Sequence, residues 1–299
     1  MSKIYVPLPS NDNLDLYLHQ GFDGFVIGIK KYSSNFNNLV DYNDLETIIE
    51  KIKKTGKKIF IALNRLYYNE EIESVKELVK KLQKLNIDGI GYTDLGLLNI
   101  LNELNYDKEI IWLSNHLGTN SKTINFLEKR NVDMALLSTE INIDEILSIK
   151  KNTNIKIGVK LYGFLNMATS SRKLLSNYFE FINEKKDKDL YYFNVKGSDD
   201  KFLIVEEKNT NFFTYKVLNG INYFPILLSN NIDFIFLDNY LLNEVKFYNV
   251  IEAYSSLRNA PNDKKFLEAL NKVVIENTFY DTFDGFLNKK TVVKVADYE

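Results

Sequence analysis

Residues 160–181, KLYGFLNMATSSRKLLSNYFEF, hold the densest group of side chains able to do chemistry. Gly163 follows a strand-like run, and Thr169, Ser170 and Ser171 make a small-residue turn. The cations Arg172 and Lys173 stand side by side ahead of Asn177 and Tyr178. Such cations can grip a phosphate while Tyr178 and Phe179 stack a base. The same residues also suit an ordinary helix with one exposed and one core-facing side. We read the stretch as the remnant of an active-site loop.

Elsewhere the chemistry is sparse. The sequence has two histidines: His19 falls inside the first predicted helix, and His116 follows a strand, where a lone loop histidine also serves structure. No HExxH pair is present to bind zinc on one helix face. No G-x-S-x-G elbow appears, and Ser170, Ser171 or Ser176 near Lys173 is better read as chance proximity than as a Ser-Lys dyad. Glu140 and Asp238 can perform acid-base work if both project into one cavity. Neither phosphate-binding glycine fingerprint occurs. Gly118, Thr119 and Asn120 offer backbone N–H groups to an anion at a helix start, although a simple N-cap explains them too.

These residues need a scaffold, and the hydrophobic pattern supplies one. Short apolar runs at 3–8, 24–29, 58–63, 89–93, 110–114, 134–138, 156–162 and 234–237 alternate with amphipathic helical patterns, giving eight βα units. Helix starts are predicted at Asn43 with Glu46 and at Asn142 with Glu145, both in capping-box spacing. The segment 189–217 reads as extended pieces joined by polar turns. The predicted organisation is one domain over 1–299, with a β-rich insertion at 183–220 and a C-terminal extension at 261–299. The fold class is α/β, a (β/α)₈ barrel of the TIM type; an open doubly wound sheet with an added domain gives a similar pattern and is the alternative. In a barrel the loops after the strands carry function, which selects Asn64, Asp94, Asn115, His116, Thr139, Glu140, Tyr162 and Asp238.

Composition limits the rest. A chain of 299 residues with 45% hydrophobic content buries a full core. With no cysteine, disulfides, thiolate nucleophiles and thiolate-held zinc or iron–sulfur sites are excluded. A net charge of -2 gives no global attraction to nucleic acid and leaves room for a local basic patch. No apolar run long enough to span a bilayer and no secretory leader are seen, so a cytoplasmic location without membrane association is expected.

At residues 161–181 the order Tyr-Gly, small and apolar residues, then Ser-x-Arg-x-Leu-Leu-Ser-Asn-Tyr-Phe resembles the signature of the collagenase-like peptidase family U32. The similarity extends to Phe25, Val26, Ile27 and Gly28 with Lys31 and Tyr32, and to Asn64, Gly118 to Asn120, Glu140 and Asp238. It covers most of the chain and is nearest to the short Gram-positive-type members. The resemblance implies a barrel-like bacterial protein of the cytoplasm. It further implies prephenate-dependent 5-hydroxylation of the tRNA wobble uridine, as enzyme or partner subunit. The alternatives it leaves are a peptidase of unassigned mechanism and a catalytically inactive scaffold. Partners implied are tRNA and a longer paralogue in a hetero-oligomer. Glu140, Asn64 and Asp238 would be catalytic; Arg172, Asn177, Tyr178, Tyr162, His116 and Asn120 would bind substrate. Tyr162 replaces the family's histidine, Asn166 stands in its cysteine region and Thr139 replaces its arginine. No metal site and no iron–sulfur cluster carry over, and prephenate enters as co-substrate.

Overall fold

The computed structural model describes residues 2–194, 196–197 and 199–289. Its strands are β1 (Lys3–Pro7), β2 (Gly24–Ile29), β3 (Leu39–Val40), β4 (Lys58–Leu63), β5 (Gly89–Tyr92), β6 (Glu109–Trp112), β7 (Met134–Leu136), β8 (Lys156–Ser170), β9 (Leu190–Asn194), β10 (Lys201–Glu206), β11 (Thr210–Asn219), β12 (Phe234–Leu237) and β13 (Thr282–Phe283). Strands β1, β2, β4, β5, β6, β7, β8 and β12 pair in parallel in that order, and β12 pairs back onto β1. The sheet therefore closes into an eight-stranded α/β barrel, and the open doubly wound alternative falls. Among the described residues, no helix is long and apolar enough to cross a membrane.

The helices are α1 (Asn11–Leu18), α2 (Tyr42–Lys53), α3 (Ile72–Gln83), α4 (Leu95–Glu103), α5 (Ser121–Glu128), α6 (Ile143–Lys151), α7 (Leu174–Phe181), α8 (Phe224–Ser229), α9 (Glu244–Asn259) and α10 (Lys264–Glu276). Buried stripes such as Leu45, Ile48, Ile49 and Ile52 on α2 seal the outside of the barrel. Asn142 and Glu145 form the expected capping box at α6. At α2 the expected box at Asn43 is absent, because the helix begins at Tyr42 with Asp41 in the N-cap position. The interior is filled by Tyr5, Phe60, Ile111, Met134 and Phe234 with smaller neighbours. Gly158 makes this filling possible, since a Cβ there would come within 2.1 Å of the Phe234 ring.

One strand runs much longer than predicted. The sequence places its end at Tyr162 and a turn at Thr169 to Ser171, yet β8 stays extended through Ser170. The reason is a hydrogen-bonding partner: β11 pairs antiparallel with β8 from Tyr162 to Ser170, so the emerging backbone keeps a ladder. Strands β10 and β9 add to β11, forming an antiparallel sheet at the top of the barrel. After α10, β13 pairs with β11; residues 290–299 of the predicted extension lie outside the described residues.

The strands' N-terminal end is stitched by a repeated device. Asp23, Asp88, Asp133 and Asp233 each immediately precede a strand, and each carboxylate accepts the backbone N–H of Ile4, Ile59, Ile110 and Ile157 on the preceding barrel strand, at 2.7 to 2.9 Å. The same four residues use their own N–H on that preceding strand and their C=O on the following one. Glu109, bonded by Lys58 at 2.7 Å and by Lys156, closes the inside of this end. Charge-assisted bonds of this kind contribute about 1.5–3 kcal/mol each. Asp88→Ala, which strands the Ile59 amide and the Lys53 ammonium, is expected to lower the unfolding free energy by roughly that amount in urea titration, and Asp88→Asn by less.

Candidate functional site

The C-terminal ends of the barrel strands open into a polar mouth. On β8, Lys160 turns inward and is 6% exposed; its Nζ donates to Asp238 Oδ2 and to the Phe164 carbonyl, both at 2.7 Å. Asp238, just after β12, also accepts the Tyr240 amide at 3.0 Å. Gly163 holds φ at +115°, and a Cβ there would lie 2.6 Å from the Asp238 carbonyl, so this crossing needs glycine. Asn64, just after β4, accepts the Ser34 N–H and donates to the Ser34 C=O, both at 3.0 Å, which pins the loop after β2. Asn166 donates to Asn211 at 3.2 Å, and Thr169 donates to the same Asn211 oxygen at 2.7 Å.

Two connected cavities fill this mouth. The deeper, about 60 Å³, lies among Phe36, Leu136, Phe213, Phe236, Lys160 and Asp238. The outer, about 260 Å³, is lined by Arg65, Asn115, His116, Asn166, Asn209 and Asn211 with the loop after β2. Asn35, Asn64, Leu113, Asn115 and Asn166 line both. A groove of about 300 Å³ beside Gln20, Tyr248 and Arg258 sits at the opposite end of the barrel, the end that serves stability in this architecture.

The hairpin of β10 and β11 covers the mouth. Its turn is fastened at two rims: Lys208 pairs with Glu71 after β4, and Tyr240 after β12 donates to Glu207 at 3.2 Å. Burial opposes ionisation of Glu71, but Lys208, the Tyr68 amide and Arg65 outweigh it and bring its pKa down to about 2. Glu206 on β10 anchors α7 from below. It is 1% exposed and accepts the Leu175 amide at 2.7 Å, the Ser176 amide at 3.2 Å and the Ser176 hydroxyl, with Lys186 at 3.3 Å.

The structure brings some predicted residues together and separates others. Asn64, Asp238 and His116 line the mouth. Glu140 stands half-exposed on the rim, 3.5 Å from His116 Nδ1 and apart from both cavities. Arg172, Asn177 and Tyr178 are exposed on and beside α7, outside the covered space. Asn120 is the N-cap of α5, accepting the Thr123 amide at 3.0 Å. Tyr162 is misplaced by the sequence reading: it is 1% exposed, bonded to Thr278 at 2.8 Å and stacked on Phe247. A register shift against β12 between Lys160 and Tyr162 turns its ring toward the helices. Sequence reasoning passed over Lys160, Arg65, Asn35 and Asn211 as site residues. Lys160 alone left a trace, a cation inside an otherwise apolar strand.

The anchoring of α7 is testable through Glu206. Burial resists its ionisation, yet hydrogen bonds from Ser176, the Leu175 amide and Lys186 hold its carboxyl below the usual range. Its contribution is complete above the unfolded carboxyl pKa of about 4.3 and is lost as pH falls through the lower folded value. The Ser176 amide shift followed by NMR should titrate with a midpoint below that value; a midpoint at or above it contradicts the assignment. Glu206→Gln should speed amide exchange at Leu175 and Ser176 by about tenfold or more.

The profile of peptidase family U32 matches residues 10–294. The chain is 26% identical over 305 aligned positions to tRNA hydroxylation protein P2 of Bacillus subtilis (strain 168), covering 97% of this chain and 98% of that one. It is 25% identical to tRNA hydroxylation protein P1 of the same organism, over 95% of this chain and 71% of P1. The solved structure of the U32 peptidase Mk0906 superposes with a TM-score of 0.53 at 14% identity, covering 80% of this chain and 92% of that one, which supports the barrel fold. Barrel, covered polar mouth and a profile match over nearly the whole length agree: the chain belongs to peptidase family U32.

Proposed function

We propose that this protein serves 5-hydroxylation of the wobble uridine of tRNA, as the hydroxylating enzyme or as the partner subunit of one, with prephenate as co-substrate. The observation that carries the reading is the match to P2, which covers 97% of this chain and 98% of that one. The geometry is compatible with it. Under the hairpin the mouth offers amides, a guanidinium and an ion pair to a small acid. Around it, Arg172, Lys173 and the 56% exposed Tyr178 offer a phosphate contact and a stacking face to RNA.

In this reading Asp238, fixed by Lys160, and Asn64 position the acid and the loops around it. Glu140 and His116 meet the substrate at the rim. A thiolate-held iron–sulfur cluster does not fit here, because the Asn166 region presents amides and hydroxyls and the sequence has no cysteine. The hetero-oligomeric partner would be a longer relative of the P1 kind, and the site of action the cytoplasm, where tRNA is modified.

Deleting the gene should remove 5-hydroxyuridine and its derivatives from total tRNA in nucleoside mass spectrometry, and re-expression should restore them. An unchanged level in a strain with no second family member would overturn the reading. Arg172→Ala combined with Tyr178→Ala should weaken tRNA binding by on the order of tenfold in filter assays, in line with the loss of one stacked base and one phosphate contact.

A further inference from the structure

We infer that α7 and strands β9 to β11 move as one lid, hinged on a double bulge around Phe213 and latched at the rim by Lys208 and Glu207. This lid must swing open for a ligand to reach Lys160 and Asp238. Such a device serves whichever ligand enters, and so goes beyond the proposed function. The cover is one body because α7 is bonded to the sheet at several points. Besides the grip of Glu206 on Leu175 and Ser176, Thr210 Oγ1 on β11 accepts the Leu174 amide at 3.0 Å and donates to the Arg172 carbonyl at 2.7 Å. Phe179 packs on Tyr191 of β9, with ring centres 4.9 Å apart.

The hinge lies in the pairing of β8 with β11. Met167 is left over on β8 between the pairs Ala168–Phe212 and Asn166–Phe213, and Thr214 to Lys216 on β11 face Leu165 alone before pairing resumes at Phe164–Val217. In this gap the Thr214 hydroxyl stands in for the ladder, accepting the Leu165 amide at 3.1 Å and donating to the Lys216 carbonyl at 2.7 Å. Phe213 and Asn166 thus form an isolated step between lid and barrel, a pivot with few backbone bonds to disturb. Tyr280, packed on Phe164, bonds Tyr192, which lies level with Phe213 across the sheet and so beside the pivot. At the far end the hold is light. Lys208 is half-exposed where it pairs with Glu71, and Glu71 keeps Arg65 and the Tyr68 amide when Lys208 leaves. The Tyr240 hydroxyl on Glu207 is the second latch. An exposed ion pair and one hydrogen bond release readily. What the lid hides is the deeper cavity, where Phe213 stands with Lys160 and Asp238, while Asn209 and Asn211 line the outer one.

Because the sequence has no cysteine, one placed in the deeper cavity reports on the lid without background. Leu136→Cys in the full chain is treated with methyl methanethiosulfonate and its modification followed by mass spectrometry; Phe236→Cys is the second probe if the first fails to fold. Modification should be about tenfold slower or more than at the exposed Lys122→Cys, and nearly independent of urea below the global transition. Adding Lys208→Ala and Tyr240→Phe to the probe chain should speed it by about fivefold or more. Lys76→Ala, which breaks the Lys76–Glu103 pair on the barrel wall, should leave the rate unchanged. Urea titration of the same variants separates release of the latches from a loss of global stability. Modification in the cavity as fast as at Lys122→Cys means that the mouth stands open without the lid moving, and a rate that follows global unfolding means that the lid does not move alone. Either result, or a rate unmoved by removing both latches, overturns the inference.

Discussion

Closure of the eight-stranded barrel is the constraint on which the rest depends. Once β12 pairs with both β8 and β1, every barrel strand has a neighbour on each side and every βα loop is forced to one end. The aspartates ahead of β2, β5, β7 and β12 lock that closure from below, each joining its own strand to the one before it and the one after. With the N-terminal end stitched and filled by Glu109 and its two lysines, the opposite end is free to carry irregular, polar loops. This division of labour separates stability from chemistry along the barrel axis.

The mouth inherits its order from two longer-range devices. One is the buried pair of Lys160 and Asp238, whose low exposure makes each partner costly without the other. The other is the continuation of β8 past the barrel rim. That extension recruits β11, and with it a hairpin whose turn is fastened to the loops after β4 and β12. The hairpin converts an open mouth into a covered one. A covered, low-dielectric space strengthens each hydrogen bond that a small polar ligand makes there.

Much of the scaffold was legible in the residues. The apolar runs at 24–29, 58–63 and 234–237 coincide with β2, β4 and β12, because parallel strands buried on both faces need continuous hydrophobic sequence. The α6 capping box was readable for a local reason, since its partners are three residues apart. The repeated apolar-Asp pairs before the strands were there to be read, but their meaning rests on backbone amides of another strand. Tyr162 was placed wrongly because a register shift, invisible in one sequence, reverses the alternation after Lys160. Arg65 and Asn35 carry no local signature; they line the mouth only once the loops and the hairpin have met.

The central claim is that the covered mouth is where this U32 chain supports tRNA hydroxylation. Removing both members of its buried pair with apolar residues of similar size tests this with least harm to the fold. The quantity to measure is the 5-hydroxyuridine content of tRNA from cells whose sole copy carries Lys160→Met and Asp238→Leu, at an unchanged protein level. The account predicts a fall of about tenfold or more. Hydroxylation at the level of the unaltered protein would contradict it.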